Sequence, residues 1–238
     1  MKILICGLGY VGVTAAACLV GGGHDVVGID VDPRKVGDVA AGRSPVSEPG
    51  VAGLLARGAA DGRLSAAQSV GAHLVGADIA LVCVGTPSSP SGALETRNVG
   101  AVAAELGKAI AALPPEAKPP LIVMRSTLPP GTMDSLVLPT LAAEAGPPGD
   151  AYEVAFNPEF LRESTAIADY HTPSRIVIGE RLPGASQNLR GLYDGIDAPV
   201  FELSFAAAEL VKLADNAFHA IKVTFGNEIG RLALDLGV

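Results

Sequence analysis

The opening thirty residues constrain this chain more than any other stretch. Residues 2–6 (KILIC) form an apolar run that passes directly into Gly7-Leu8-Gly9-Tyr10-Val11-Gly12; small residues follow, and residues 25–30 (DVVGID) close a second apolar run. Strand, glycine turn, helix and second strand make a βαβ unit of the dinucleotide-binding kind. In such a unit Gly7 permits the tight turn, Gly9 lets backbone N–H groups approach a pyrophosphate at the helix N-terminus, and Gly12 lets the helix pack closely on the strand. Asp30, eighteen residues after Gly12, stands where a carboxylate accepts from the hydroxyls of an adenosine ribose. The same carboxylate repels a 2′-phosphate, so the expected cofactor is NAD rather than NADP.

The remaining composition fits an α/β fold. Hydrophobic residues make up 49% of the 238, aromatics only 4%, and Trp is absent, so Val, Leu, Ile and Ala must fill the core, as they do in strands buried on both faces of a parallel sheet. A net charge of −8 argues against a general affinity for nucleic acid or an anionic membrane surface, which would demand excess Lys and Arg. No uncharged run is long and apolar enough to span a bilayer. The first twenty residues resemble a secretory signal with a small-residue cleavage site near residues 15–17, but cleavage there would delete the glycine turn, so we expect the segment to be retained. Cys6, Cys18 and Cys83 fall in strand, helix and strand contexts without metal-ligand spacing. They read as small core residues of a reduced, cytoplasmic protein, with no metal site.

The βα alternation continues along the chain. Asp32-Pro33 is a helix start, an N-cap acid followed by proline at the first helical position, and that helix is expected to run to about Gly42. A loop at 43–50 (RSPVSEPG) leads to a helix over 51–57. Strands are expected at 79–84, 121–125, 152–156, 175–178 and 200–203, with helices over 99–113 and 132–144. From Ser204, a plausible N-cap, no proline interrupts the chain to residue 236, and Leu210, Leu213, Ala217, Ile221, Phe225 and Ile229 recur at helical spacing. The reading is a Rossmann-like, doubly wound, mostly parallel sheet over 1–203, followed by a long connecting helix over 204–238. An apolar stripe with nothing downstream to cover it suggests pairing with a second copy.

Thr86, Thr127 and the loop 157–163 each follow a strand of one parallel sheet, so all three project over the rim that carries the glycine turn. Glu159 and Glu163 then lie near the expected nicotinamide, where one carboxylate would serve as a base or orient a water. Alternatively Glu159 caps a helix after Pro158 and Glu163 faces solvent. On the long helix Lys212, Asn216 and His219 share a face, and a Lys and an Asn one turn apart can donate together to a developing oxyanion. A solvated helix face is the plainer alternative, for Asn227 and Glu228 as well.

Taken in order, GLGYVG with Asp30 and Lys35, SPVSEPG, VCVGTP, RSTLPPGT, FNPEFLRESTAI and ELVKLADNAFHAIKVTFGNEIG resemble the UDP-glucose/GDP-mannose dehydrogenase family over essentially the whole chain. The last motif is most similar to the GDP-mannose 6-dehydrogenase branch. The resemblance implies oxidation of a sugar-nucleotide primary alcohol, on GDP-mannose or UDP-glucose, to a carboxylate with two NAD, by way of an aldehyde and a cysteine-bound thioester. It implies that Gly7, Gly9, Tyr10, Val11 and Gly12 hold the pyrophosphate, that Asp30 and Lys35 hold the ribose, and that Thr86, Thr127 and Glu163 complete the NAD site. Glu159, Phe160, Leu161 and Arg162 would line the sugar pocket, Glu159 or Thr127 would handle water or a proton, Lys212 and Asn216 would stabilise the oxyanion, and His219 and Asn227 would contact the sugar nucleotide. The family's nucleophilic cysteine sits in a Gly-x-Cys-x-x-Lys-Asp motif that does not occur among these residues. The chain alone is therefore expected to be inactive. Two other readings stay open at this point: a hydroxyacid dehydrogenase of the 6-phosphogluconate type with Lys212 as base, and a non-catalytic NAD-binding module.

Overall fold

Short runs of Val, Ile and Leu that lack polar alternation become strands covered on both faces. In the computed structural model, which describes residues 1–149 and 151–238, the strands are β1 (Lys2–Cys6), β2 (Asp25–Ile29), β3 (Leu64–Ala67), β4 (Ile79–Val82), β5 (Leu121–Met124), β6 (Glu153–Phe156), β7 (Ile176–Glu180) and β8 (Val200–Ser204). They form one sheet in the order β3-β2-β1-β4-β5-β6-β7-β8. All neighbours are parallel except β6 and β7. The first six strands have the order of a doubly wound dinucleotide-binding sheet, whose direction of winding reverses between β1 and β4.

Helices α1 (Tyr10–Gly21), α2 (Pro33–Ala40) and α3 (Val51–Ala60) belong to the first half, and α4 (Arg97–Ala111) and α5 (Leu138–Ala145) to the second. Short helices α6 (Ala166–His171) and α7 (Gln187–Arg190) precede the long α8 (Phe205–Leu236). One buried cluster joins Ile3, Ile5 and Val123 to Ala16, Leu19, Leu55 and Tyr170 on one face of the sheet. The other joins Leu4, Val82 and Met124 to Leu106, Leu141, Phe205 and Ala208.

The expected elements form, with three differences. Leu64–Ala67 is a strand although LSAA carries no β-branched or aromatic residue; it pairs only with β2, at the sheet edge. The helix expected over 132–144 begins as a π turn at Met133–Val137 and becomes α-helical only at Leu138. Pro139, which has no N–H to give to the preceding turn, sits at that junction. The expected apolar stripe of α8 is not the face that packs on the sheet: Phe205, Ala208, Glu209 and Lys212 are buried, whereas Leu210, Ile221, Phe225 and Ile229 of the stripe are exposed.

Candidate active site

The glycine turn after β1 and the Gly85-Thr86-Pro87 turn after β4 flank the point where the winding reverses. Gly7, at φ +103°, brings its backbone so near the end of β4 that a Cβ there would lie 2.9 Å from the carbonyl of Cys83 and the nitrogen of Val84. Gly12 is packed against the turn itself, since a Cβ would stand 1.9 Å from the Gly7 oxygen. Gly9 differs: a Cβ there would meet nothing within 4 Å. It faces open space, in a cleft of about 260 Å³ lined by Gly9, Tyr10, Val11, Thr86, Arg125, Ser126, Thr127 and Glu159. Two glycines that the fold requires and a third that keeps space clear at the N-terminus of α1 are what a pyrophosphate needs. The residues present therefore fit NAD.

Asp30 does more than the sequence indicates. Its Oδ2 accepts from the Leu8 N–H at 2.7 Å and its Oδ1 from the Asp32 N–H at 2.9 Å, so it braces the glycine turn from β2. Lys35 approaches the same carboxylate at 3.4 Å. A carboxylate has about four acceptor positions, which leaves room for ribose hydroxyls beside the backbone donors. Across the cleft the Thr86 hydroxyl donates to the Thr127 carbonyl at 3.0 Å, and the Ser126 hydroxyl donates to the Val84 carbonyl at 2.6 Å, which ties the rim after β4 to that after β5.

A larger cavity, about 920 Å³, adjoins this cleft and is lined by the loop after β6 and the first half of α8. Lys212, only 4% exposed, sits 3.1 Å from Glu159 Oε1, while Glu159 Oε2 accepts from the Leu161 N–H at 2.6 Å. These residues, assigned separate tasks from sequence, are thus one ion pair. Phe160 lies under two cations, Arg175 at 4.3 Å and Lys212 at 5.2 Å from the ring centre, and Arg175 in turn pairs with Asp215. Leu161, Asn216 and His219 line the cavity, the last two from exposed positions one and two turns beyond Lys212. Arg162 is exposed and bonded to Asp169 at 2.6 Å. Glu163 is exposed and lines this larger cavity rather than the cofactor cleft, and Asn227 lies farther along the exposed part of α8, outside both linings.

Three residues to which the sequence reading gave no task hold this arrangement. Glu48, 7% exposed, accepts from the Tyr10 hydroxyl at 2.7 Å, the Ser164 N–H at 2.8 Å and the Ala166 N–H at 2.9 Å. Burial works against its charge, but these three donors outweigh burial and hold the carboxyl below its ordinary pKa. Burial and the Glu48 carboxylate together push the Tyr10 hydroxyl up. The phosphate turn and the loop after β6 are joined through one carboxylate. Ser164, at φ 71°, is the one non-glycine residue with positive φ among the described residues, a conformation that persists where surrounding contacts fix it. Glu209 is fully buried on α8 and accepts from the N–H groups of Gly131 and Met133 at 2.6 and 2.8 Å, which fixes the helix bearing Lys212 against the segment after Thr127. Burial pushes its pKa up. Arg125 is the third. Each of these lies inside a motif already legible (SEPG, RSTLPPGT, ELVKLADN); for Arg125 and Glu209 the signal is a charged residue at the end of an apolar strand or on a buried helix face, whereas Glu48 stands in a loop and has no such signal.

Residues 1–197 match the NAD binding domain of the UDP-glucose/GDP-mannose dehydrogenase family. The chain belongs to that family. It is 43% identical to GDP-mannose 6-dehydrogenase of Azotobacter vinelandii, with all of this chain and 54% of the relative aligned, and 34% identical to a UDP-glucose 6-dehydrogenase of Haloferax volcanii, with all of this chain and 56% of the relative aligned. Among solved structures, GDP-mannose dehydrogenase of Pseudomonas aeruginosa in a ternary complex superposes with a TM-score of 0.94 at 41% identity, over all of this chain and 54% of that one. UDP-glucose dehydrogenase of Pyrobaculum islandicum gives 0.89 at 43% identity, over 98% of this chain and 52% of that one. The chain spans about half the length of the relatives it matches. The family assignment and the open space at Gly9 agree on NAD as the cofactor.

Proposed function

We propose that this chain is the NAD-binding half of a sugar-nucleotide 6-dehydrogenase acting on GDP-mannose, with residues 1–203 as the cofactor domain and 204–238 as the start of a central helix. The observation that carries the reading is the Lys212–Glu159 pair, 3.1 Å apart, at the junction of the cofactor cleft and the larger cavity. NAD, when bound, supplies the hydride acceptor; Gly7, Gly9, Tyr10, Val11 and Gly12 would hold its pyrophosphate, Asp30 and Lys35 its ribose, and Thr86 and Thr127 its nicotinamide half, while Glu163, which lines the larger cavity instead, is assigned to the sugar side. The chain's own residues supply the rest. The Lys212 ammonium has three donors, one of them engaged by Glu159; with the Asn216 amide one turn away it can stabilise an oxyanion at the sugar C6. A lysine held beside a carboxylate suits donation better than proton abstraction, which favours this reading over a lysine-base hydroxyacid dehydrogenase. Glu159, fixed at both oxygens, or the Thr127 hydroxyl then remains to accept a proton or orient a water. Phe160, Leu161, Arg162, His219 and Asn227 are assigned to the sugar nucleotide.

The thioester step needs a thiolate that these residues do not offer. Cys6, Cys18 and Cys83 are buried, and burial pushes the Cys18 and Cys83 thiols up to about 12 and Cys6 higher still. We assign that step to a cysteine outside them. The free, buried cysteines also suit a reducing compartment such as the cytoplasm. The exposed side chains of Phe218, Ile221, Phe225 and Ile229 support a homodimer through α8; sedimentation at tens of micromolar, an order-of-magnitude choice above usual dimer constants, tests it, and a clean monomer would count against it.

The Lys212 assignment is tested by steady-state kinetics of the full-length protein. Lys212→Ala should lower kcat about a hundredfold to a thousandfold, with little change in KM. Normal kcat with a raised KM would mean that Lys212 only anchors the ligand. Comparing kcat/KM for GDP-mannose and UDP-glucose decides between the two sugar nucleotides.

A further inference from the structure

Charges around the two cavities are balanced almost throughout. Arg162 pairs with Asp169, Arg175 with Asp215 and Lys212 with Glu159, while Glu163 and Lys222 stand exposed, where water screens them. Arg125 is the exception. It is 6% exposed, and its hydrogen bonds run from Nη1 to two neutral groups, Asn157 Oδ1 at 2.6 Å and the Tyr193 hydroxyl at 3.1 Å. Its Nε is buried without a partner. Among the described residues no carboxylate lies within ion-pair distance of it. A cation withdrawn from water without a counter-charge is unfavourable, and salt screens its field less than that of an exposed charge.

That field falls on the cofactor. Arg125 follows β5 and lines both the NAD cleft, with Thr86 and Thr127, and the larger cavity. Since Asp30 marks the ribose end beyond β2, a dinucleotide laid across the reversal of winding directs its nicotinamide half toward β4 and β5. The Glu159–Lys212 pair on the same wall sums to zero, which leaves Arg125 as the net charge there.

We infer that Arg125 makes this site hold the reduced cofactor more tightly than the oxidised one, because the oxidised nicotinamide ring is a cation and the reduced ring is neutral. The inference rests on the NAD site described above. Tighter binding of the reduced form makes the bound couple a stronger hydride acceptor, which suits an enzyme run in the direction of oxidation. Arg125 thereby acts on the reaction through the charge it brings to the ring, distinct from the donors assigned to the sugar.

Calorimetric titration of the chain with NAD⁺ and with NADH tests this without any turnover. Two unit charges on the order of 10 Å apart at an effective dielectric near 20 correspond to about a tenfold difference, so NADH should bind about tenfold more tightly than NAD⁺. Arg125→Met should remove most of that ratio, chiefly by improving NAD⁺, whereas Arg125→Lys, which keeps the charge but not the fork of donors, should retain it. Arg125→Gln serves if the methionine variant fails to fold, with circular dichroism as the check. Equal affinities in the unaltered chain, or a folded neutral variant with the original ratio, would overturn the inference while leaving the NAD site intact. A chain that binds neither form would overturn both.

Discussion

Gly9 and Gly12 lie three residues apart in one turn, and the structure assigns them opposite consequences on substitution. A Cβ at Gly12 would stand 1.9 Å from the Gly7 oxygen and 3.2 Å from Ile5 Cγ2, in a place walled by backbone that cannot rotate away. Forcing α1 off β1 by about 1 Å costs about 3 kcal/mol, the upper end for overpacking. At about 2–4 °C per kcal/mol for a chain of this size, Gly12→Ala should lower Tm by about 6–12 °C. Gly9 has φ −85° and ψ −168°, extended backbone that alanine adopts freely, and its Cβ would meet no protein atom within 4 Å. Gly9→Ala should therefore change stability by less than about 0.5 kcal/mol, or roughly 2 °C. Its methyl group would instead occupy the approach of the pyrophosphate. Losing two charge-assisted hydrogen bonds at about 1.5 kcal/mol each weakens binding roughly a hundredfold. Thermal unfolding by circular dichroism and NAD calorimetry on both variants read these quantities separately. Unchanged NAD affinity in Gly9→Ala would refute the assignment of the turn to phosphate, and an unchanged Tm in Gly12→Ala would refute the packing that positions it.

Three further outcomes follow from the same geometry. The chain should bind NAD at least about tenfold more tightly than NADP, since a 2′-phosphate would meet the Asp30 carboxylate; equal calorimetric affinities would remove Asp30 from the ribose, and because Asp30 also braces Leu8, its alanine variant should lose Tm as well as selectivity. Iodoacetamide should label none of the three cysteines in the folded chain and all of them after denaturation, as read by intact mass; rapid labelling of Cys83 under native conditions would contradict its burial. Glu48 titrates below its ordinary value of 4.5, so its contribution to stability is present above that pH and is lost as pH falls through the lower folded value. The Tm difference between the unaltered chain and Glu48→Gln should accordingly shrink on acidification, and a difference constant with pH would show that the carboxylate charge at Glu48 does not contribute.

How far the sequence discloses this arrangement depends on the distance between partners. The glycine turn, the Asp32-Pro33 helix start and the apolar strands are local patterns, and they appear where their spacing puts them. The edge strand at Leu64–Ala67 escapes notice because pairing with β2, rather than its own composition, makes it a strand. The ties that set the site are longer: Glu48 reaches Ser164 across 116 residues, Glu209 reaches Gly131 across 78 and Arg125 reaches Asn157 across 32. Spacing along the chain carries no trace of such contacts. Lys212 and Glu159 illustrate the difference, since each is recognisable as a candidate from its motif, yet only the packing of α8 over the end of β6 makes them a pair.

The central claim, that this chain is half of an enzyme taking a sugar-nucleotide alcohol to the acid, is tested most directly by counting product. With the full-length protein, limiting GDP-mannose and excess NAD, absorbance at the reduced-nicotinamide band should rise by two equivalents of NADH per sugar nucleotide consumed, an alcohol-to-acid oxidation being two successive hydride transfers. One equivalent, undiminished after thiol alkylation, would contradict the account and assign the chemistry to a single oxidation that needs no cysteine.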